Sequence, residues 1–174
     1  IAYRDYHPDL NYAGGKPYMI HPLKDIEGFL KEVSSVEAAK KSTDQVQEAV
    51  FEALVTASVD EKVDWGNDMA EKLIIQIGNS SAWERGSQGK YHDYHLYKED
   101  VVKSVKERKY LSVFSMIVPS KNEEDQKKQL KQMKHISSQT GGKVFTLQNA
   151  DHLLRQVQSL IAQDIATTIE AKRE

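Results

Sequence analysis

The residues best suited to contact a ligand or a partner lie in Gly78-Asn79-Ser80-Ser81, directly after the apolar segment 73–77. That segment reads Leu-Ile-Ile-Gln-Ile, a short apolar run typical of a strand buried in a parallel sheet. In open α/β sheets, binding sites form in the crevice at the carboxyl ends of the strands. One amide and two hydroxyl groups at such an end predict a binding site, or the remnant of one.

Two further groups of side chains follow in the long polar loop after this strand. Trp83 and Arg85 are residue types that commonly anchor protein interfaces, although a Trp folded over the sheet edge would fit the same pattern. His92 and His95 have a spacing that zinc could use on a helix. Only Asp93 lies close enough in sequence to add a third ligand, so we favour a solvated aromatic loop.

The sequence carries none of the spacing motifs that identify common catalytic sites. It has no cysteine, which excludes disulfides, thiolate nucleophiles and zinc–thiolate sites. It also lacks a Gly-x-Ser-x-Gly motif, a phosphate loop and a Gly-x-Gly-x-x-Gly motif. We therefore expect a non-enzymatic domain with no cofactor and no bound metal. A small α/β enzyme that uses the loop 78–95 as a lid is kept as an alternative.

The composition is that of an ordinary globular domain. The chain has 174 residues, of which 39% are hydrophobic and 29% charged, and its formal net charge is −2. This length predicts a single domain over 1–174. The near-zero charge argues against nucleic acid as a partner. The apolar runs are strand-sized, so no membrane insertion is expected.

Hydrophobic periodicity predicts the elements that position these residues. Strands are predicted at 73–77, 111–118 and 143–147, with a short edge strand at 18–23. Helices are predicted over roughly 46–57, 97–109, 122–138 and 153–165. Ser42 and Gln45 fit a capping box for the first of these helices. The acidic residues 123–125 that start the third are interpreted as part of a solvated face.

Strands that alternate with helices predict an α/β fold with a mainly parallel open sheet flanked by helices. The order of the segments "IAYRDY", "STDQVQEAVFEAL", "LIIQIGNSSA", "FSMIV" and "TGGKVFTL" resembles a von Willebrand factor type A domain, a Rossmann-like fold. The resemblance spans nearly the whole chain. It implies that the central first strand of the family would lie before Ile1 and is missing from this chain.

The resemblance also implies a degenerate metal site. Thr43, followed by Asp44, matches the family's second metal-binding loop, whereas Asn79 stands where the third loop has an aspartate. The first metal loop is absent from its expected position. A neutral amide is a weaker ligand than a carboxylate for a hard cation such as Mg²⁺. The upper face is therefore expected to bind a protein partner through these residues: Thr43, Asp44, Asn79, Ser80, Ser81 and Trp83.

A narrower resemblance, carried by "IAYRD" and by a Trp before the "LIIQIG" strand, is to bacterial type A domains fused to protein kinases. These include the periplasmic region of the serine/threonine kinases of type VI secretion systems. It implies a sensory or interaction module of a larger signalling protein in the periplasm, with the cytoplasm as the alternative compartment. The missing strand has three explanations: a cut chain, a strand carried elsewhere, or a homodimer that rebuilds the sheet. A metal-dependent adhesion module whose other ligands lie outside this chain is the alternative function.

Overall fold

A computed structural model describes residues 2–3, 18–19, 47–59, 61, 63, 65–66, 71–86, 95–148, 155 and 159. Its strands are β1 (Ala2–Tyr3), β2 (Tyr18–Met19), β3 (Lys72–Gly78), β4 (Leu111–Ile117) and β5 (Val144–Thr146). Its helices are α1 (Val50–Val59), α2 (Lys98–Lys106) and α3 (Glu123–Gln139). Arg155 and Ser159 are helical, within the predicted closing helix.

In the described part of the chain, a parallel sheet has the strand order β3-β4-β5. Lys72 pairs with Leu111 at one end of β3, and Gly78 pairs with Ile117 at the other. β5 continues the parallel register from β4. A separate antiparallel pair joins β1 to β2. The predicted α/β class, with an open parallel sheet flanked by helices, is confirmed.

The three helices pack on the same face of the parallel sheet. α2 contacts both α1 and α3, and alternate residues of β4 face them because side chains along a strand point to opposite sides. The core on this side consists of Val50, Phe51, Leu54, Ala82, Val101, Val102, Val105, Leu111, Val113, Ile117, Met133 and Ile136. Met116 and Leu147 belong to a second apolar cluster, on the other face of the sheet.

α1 begins later than the sequence predicts. Residues 47–49 are not helical, since Glu48 forms a parallel bridge with Ala82, and the helix starts at Val50. Ser42 and Gln45, the predicted capping box, lie outside the described residues. The helix nonetheless buries the predicted face, which includes Val50 and Leu54.

Both ends of α3 are fixed by local chemistry. Asn122 caps the N-terminus, where its Oδ1 accepts a hydrogen bond from Asp125 N–H at 3.0 Å. Gly141, with φ +81°, ends the helix in the left-handed conformation, and Gly142 N–H donates to Ser137 O at 2.8 Å. These contacts fix where α3 begins and ends beside the sheet.

Among the described helices, none combines the length and apolar character needed to cross a lipid bilayer.

Candidate functional site

The residues that follow β3, 79–84, form what we call the β3 exit loop, at the carboxyl end of the parallel sheet. On one side this loop is tied to the segment before α1. Glu48 N–H donates to Ser81 O at 3.0 Å, and Trp83 N–H donates to Glu48 O at 3.2 Å. Gln47 Nε2 donates to Ser81 Oγ at 3.2 Å and to the next carbonyl, that of residue 82, at 3.3 Å. Backbone and side-chain bonds thus hold the loop against the start of α1.

On the other side, buried polar residues of α3 hold the same loop. Asp125, Gln129 and Gln132 are spaced i, i+4 and i+7 and so share one face of the helix. Gln132 pairs with both backbone groups of Ala82: its Oε1 accepts from Ala82 N–H at 2.9 Å, and its Nε2 donates to Ala82 O at 3.0 Å. Gln129 Nε2 donates to Gly78 O at 2.9 Å. The helix therefore supplies hydrogen-bond partners to backbone groups at the end of β3 and in the loop that follows.

Asp125 adds a charged group to this contact. One carboxylate oxygen accepts from Ser81 N–H at 3.1 Å, and the other accepts a short hydrogen bond from Ser81 Oγ. Asp125 is only 7% exposed and Ser81 is 0% exposed. Hydrogen bonds to an ionised acceptor are about twice as strong as neutral ones, and a buried carboxylate requires such partners.

The prediction that the acidic start of α3 is only a solvated face is therefore wrong for one of its residues. Glu123 and Glu124 are exposed, as predicted, whereas Asp125 turns inward to the exit loop. Three successive acidic residues do not reveal from sequence alone which one is buried. The buried hydrogen-bond partner of Asp125, Ser81, lies 44 positions away along the chain.

A polar crevice opens beside the exit loop, between the N-terminal ends of α1 and α3. Its volume is about 380 Å³, and its lining residues are Gln47, Asn122, Glu124, Asp125 and Lys128. Gln47 and Asp125 also form hydrogen bonds with Ser81, so the wall of the crevice is connected directly to the loop. The lining offers amide, carboxylate and ammonium groups, which suits a polar partner surface.

A second cavity of about 340 Å³ lies between α1 and β3, next to Trp65. Apart from Gln76, the side chains that line it are apolar, among them Leu54 and Ile74. Trp65 is one of the lining residues, and its indole N–H donates to Ala57 O at 2.9 Å. Few polar groups converge there, so we take the polar crevice as the candidate site.

The structure places the predicted site residues at different depths. Asn79 is exposed and Ser80 half-buried, and Ser80 Oγ donates to Asn79 Oδ1 at 3.4 Å. Trp83 is also half-buried. Ser81 has no exposed surface, so its role here is to fasten the loop, and a docked partner would not touch it directly. Thr43 and Asp44 lie outside the described residues.

Beyond Trp83, Arg85 joins the two ends of the predicted long loop by hydrogen bonds. Arg85 N–H donates to Leu96 O at 2.9 Å, and Arg85 Nε donates to His95 O at 2.6 Å. The Arg85 guanidinium also lies 5.2 Å from the centre of the Tyr97 ring, a cation–π distance. Residues 87–94, which include His92 and Asp93, lie outside the described residues. Arg85 therefore holds the two ends of this loop together.

Within the described ranges, no three His, Asp or Glu side chains are grouped so as to hold a metal ion. The Ser81–Asp125 pair resembles an activated hydroxyl in composition, but the hydroxyl is buried and bonded on both sides.

No family sequence profile matches the chain, and a search of curated proteins finds no match. The resemblance to von Willebrand factor type A domains therefore stays a prediction based on the sequence segments.

Proposed function

We propose that this domain is a non-catalytic protein-interaction module whose binding face is the β3 exit loop together with the polar crevice. The observation that carries the proposal is the two-sided fastening of the loop by Gln47 and Asp125. A loop held in one conformation loses little conformational entropy when a partner docks, which favours affinity. The loop keeps Asn79 exposed for such contact.

The chemistry of the face supports a protein partner over a small ion. Trp83 is half-buried within the loop, and tryptophan is among the side chains most enriched at interface hot spots. Glu124 and Lys128 place opposite charges in the crevice lining, which favours a partner with complementary charges. Contacts of this kind let the face select one protein partner over others without catalysing a reaction.

The wider setting belongs to the same proposal and rests on the sequence resemblance alone. We place the domain in a larger bacterial signalling or secretion-associated protein, as the periplasmic sensory or docking region of a kinase. The antiparallel β1–β2 pair and the sequential parallel strands β3-β4-β5 are compatible with a type A domain.

Site-directed photo-crosslinking tests the interaction face. A photoreactive amino acid is introduced at exposed Asn79, and in a matched control at Lys103, which is exposed on α2. We expect a discrete protein adduct in host cells from position 79 and none from position 103. The adduct should be lost when Lys128→Glu reverses a crevice charge. Equal adducts from both positions, or none from position 79, would contradict the proposal.

A further inference from the structure

We propose that Asn79 is a site of spontaneous deamidation, which converts the neutral end of β3 into an anionic one. Asn79 is exposed and sits in a bend between Gly78 and Ser80, two small residues. Deamidation of this kind needs an accessible side-chain amide and a following backbone nitrogen that is free to attack it. Both conditions can be checked from the hydrogen bonds of the loop.

The nitrogen of Ser80 is available for the attack. Within the described residues no acceptor receives a hydrogen bond from Ser80 N–H, in contrast to the N–H groups of Ser81 and Ala82, which bind Asp125 and Gln132. The loop thus locks the residues on the carboxyl side, whereas the peptide nitrogen between positions 79 and 80 has no acceptor among the described residues.

The electrophile is polarised at the same time. Ser80 Oγ donates to Asn79 Oδ1 at 3.4 Å. A donor on the carbonyl oxygen stabilises the negative charge that develops there during attack, as an oxyanion hole does. Ser80 therefore supplies both the nucleophilic nitrogen and a donor for the oxygen.

The reaction consumes one water molecule and releases one ammonia molecule, with no change of oxidation state. Hydroxide removes the proton from Ser80 N, which bonds to Asn79 Cγ. The bond from Cγ to Nδ2 breaks, and Nδ2 takes a proton from water and leaves as ammonia, which regenerates the hydroxide. Water then opens the cyclic imide at either carbonyl. Opening at the bond between Cγ and nitrogen gives aspartate, and opening at the backbone carbonyl gives isoaspartate.

The product alters the face next to the crevice. It adds one negative charge to a chain whose formal net charge is −2, so ion-exchange chromatography separates it from the parent. Isoaspartate also inserts a methylene into the backbone between β3 and Ser81, which Asp125 holds in place. This inference stands on the loop geometry and does not require a protein partner.

The test incubates the folded chain in mildly alkaline buffer made with heavy-oxygen water, followed by tryptic mass spectrometry. Asn79 lies in the peptide 73–85 and Asn122 in the peptide 122–127, each with a single Asn, so one digest holds both site and control. Asn122 is the N-cap of α3, and the residue that follows it, Glu123, has its backbone fixed in the helix. We expect the 73–85 peptide to gain the heavy label at least several times faster.

Two further measurements separate the proposed route from direct hydrolysis of the amide. An isoaspartate-specific methyltransferase should label the peptide 73–85, because direct hydrolysis yields aspartate alone. Asn79→Gln should abolish the mass gain, and Ser80→Ala should slow it; both change residues outside the core, and circular dichroism checks that the fold is retained. Equal rates at Asn79 and Asn122, or a mass gain without isoaspartate, would overturn the proposal.

Discussion

At the residue scale, the account depends most on Asp125. Asp125→Ala removes both hydrogen bonds to Ser81 and leaves a buried N–H without its acceptor. Losing such bonds to a charged group should lower the free energy of unfolding by about 3 kcal/mol. Urea denaturation followed by circular dichroism measures the change.

The matched control is the neighbouring carboxylate. Glu124→Ala alters an exposed residue of the same helical turn and should change the free energy of unfolding by less than about 0.5 kcal/mol. If the two variants were equally stable, the Asp125 carboxylate would not be the anchor of the exit loop.

The sequence predicted the position of these residues better than their roles. Asn79 and Ser80 were predicted at a strand end, and they lie there. Ser81 and Asp125 were not recognised as a buried pair, because short polar side chains and an acidic helix start usually face solvent. Their burial follows from how α3 packs on the sheet, which depends on contacts between distant parts of the chain.

At the element scale, the polar face of α3 distinguishes two glutamines of similar burial. Gln132→Met leaves Ala82 N–H without its acceptor and should cost about 1–3 kcal/mol. Gln129→Met should cost less than about 1 kcal/mol, because Gly78 O keeps a bond from Val118 N–H at 2.9 Å. The Gln129 Oε1 atom is also buried without a hydrogen-bond partner among the described residues.

These two variants conserve volume, so their difference reports on hydrogen bonds rather than on cavities. Guanidinium denaturation of both proteins, with the same probe, gives the comparison. A larger loss for Gln129→Met than for Gln132→Met would contradict the assignment of Gln132 as the main support of the loop.

A second element-scale prediction concerns the connection from α3 to β5. A Cβ added at Gly142 would lie 1.9 Å from Val113 O, closer than any stable contact, so Gly142→Ala must displace the sheet or the turn. Gly86, with φ +83°, has no atom within 4 Å of its added Cβ. Gly86→Ala should therefore cost only about 1–2 kcal/mol, from the left-handed backbone.

Thermal denaturation should show a clearly larger loss for Gly142→Ala than for Gly86→Ala. Similar melting temperatures for the two variants would mean that the close approach of Gly142 to β4 is not a constraint in solution.

The elements themselves were largely predictable because hydrophobic periodicity reflects burial directly. Between residues 72 and 146, the ends of the predicted strands and helices lie within a few residues of the observed ends. The predicted start of α1 is too early, because a tertiary contact holds the residues before Val50 out of the helix. Glu48 bonds to the exit loop instead of extending the helix, and no local pattern predicts that.

At the scale of the whole molecule, the described helices α1, α2 and α3 cover one face of the parallel sheet β3-β4-β5, and the exit loop is held where the starts of α1 and α3 meet the strand ends. Binding faces in this fold class occur at that end of the sheet. The fold class followed from the alternation of strands and helices. The function of this end of the sheet does not follow from that alternation, because it depends on which side chains the packing buries.

Amide hydrogen exchange of the exit loop tests the central claim most directly. If α3 and the segment before α1 hold the loop, the Ser81 and Ala82 amides of the intact chain should exchange as slowly as those of β4. Asp125→Ala should speed exchange at Ser81 while β4 stays protected. Ser81 and Ala82 amides that exchange as fast as those of an exposed loop in the unmodified protein would contradict the account.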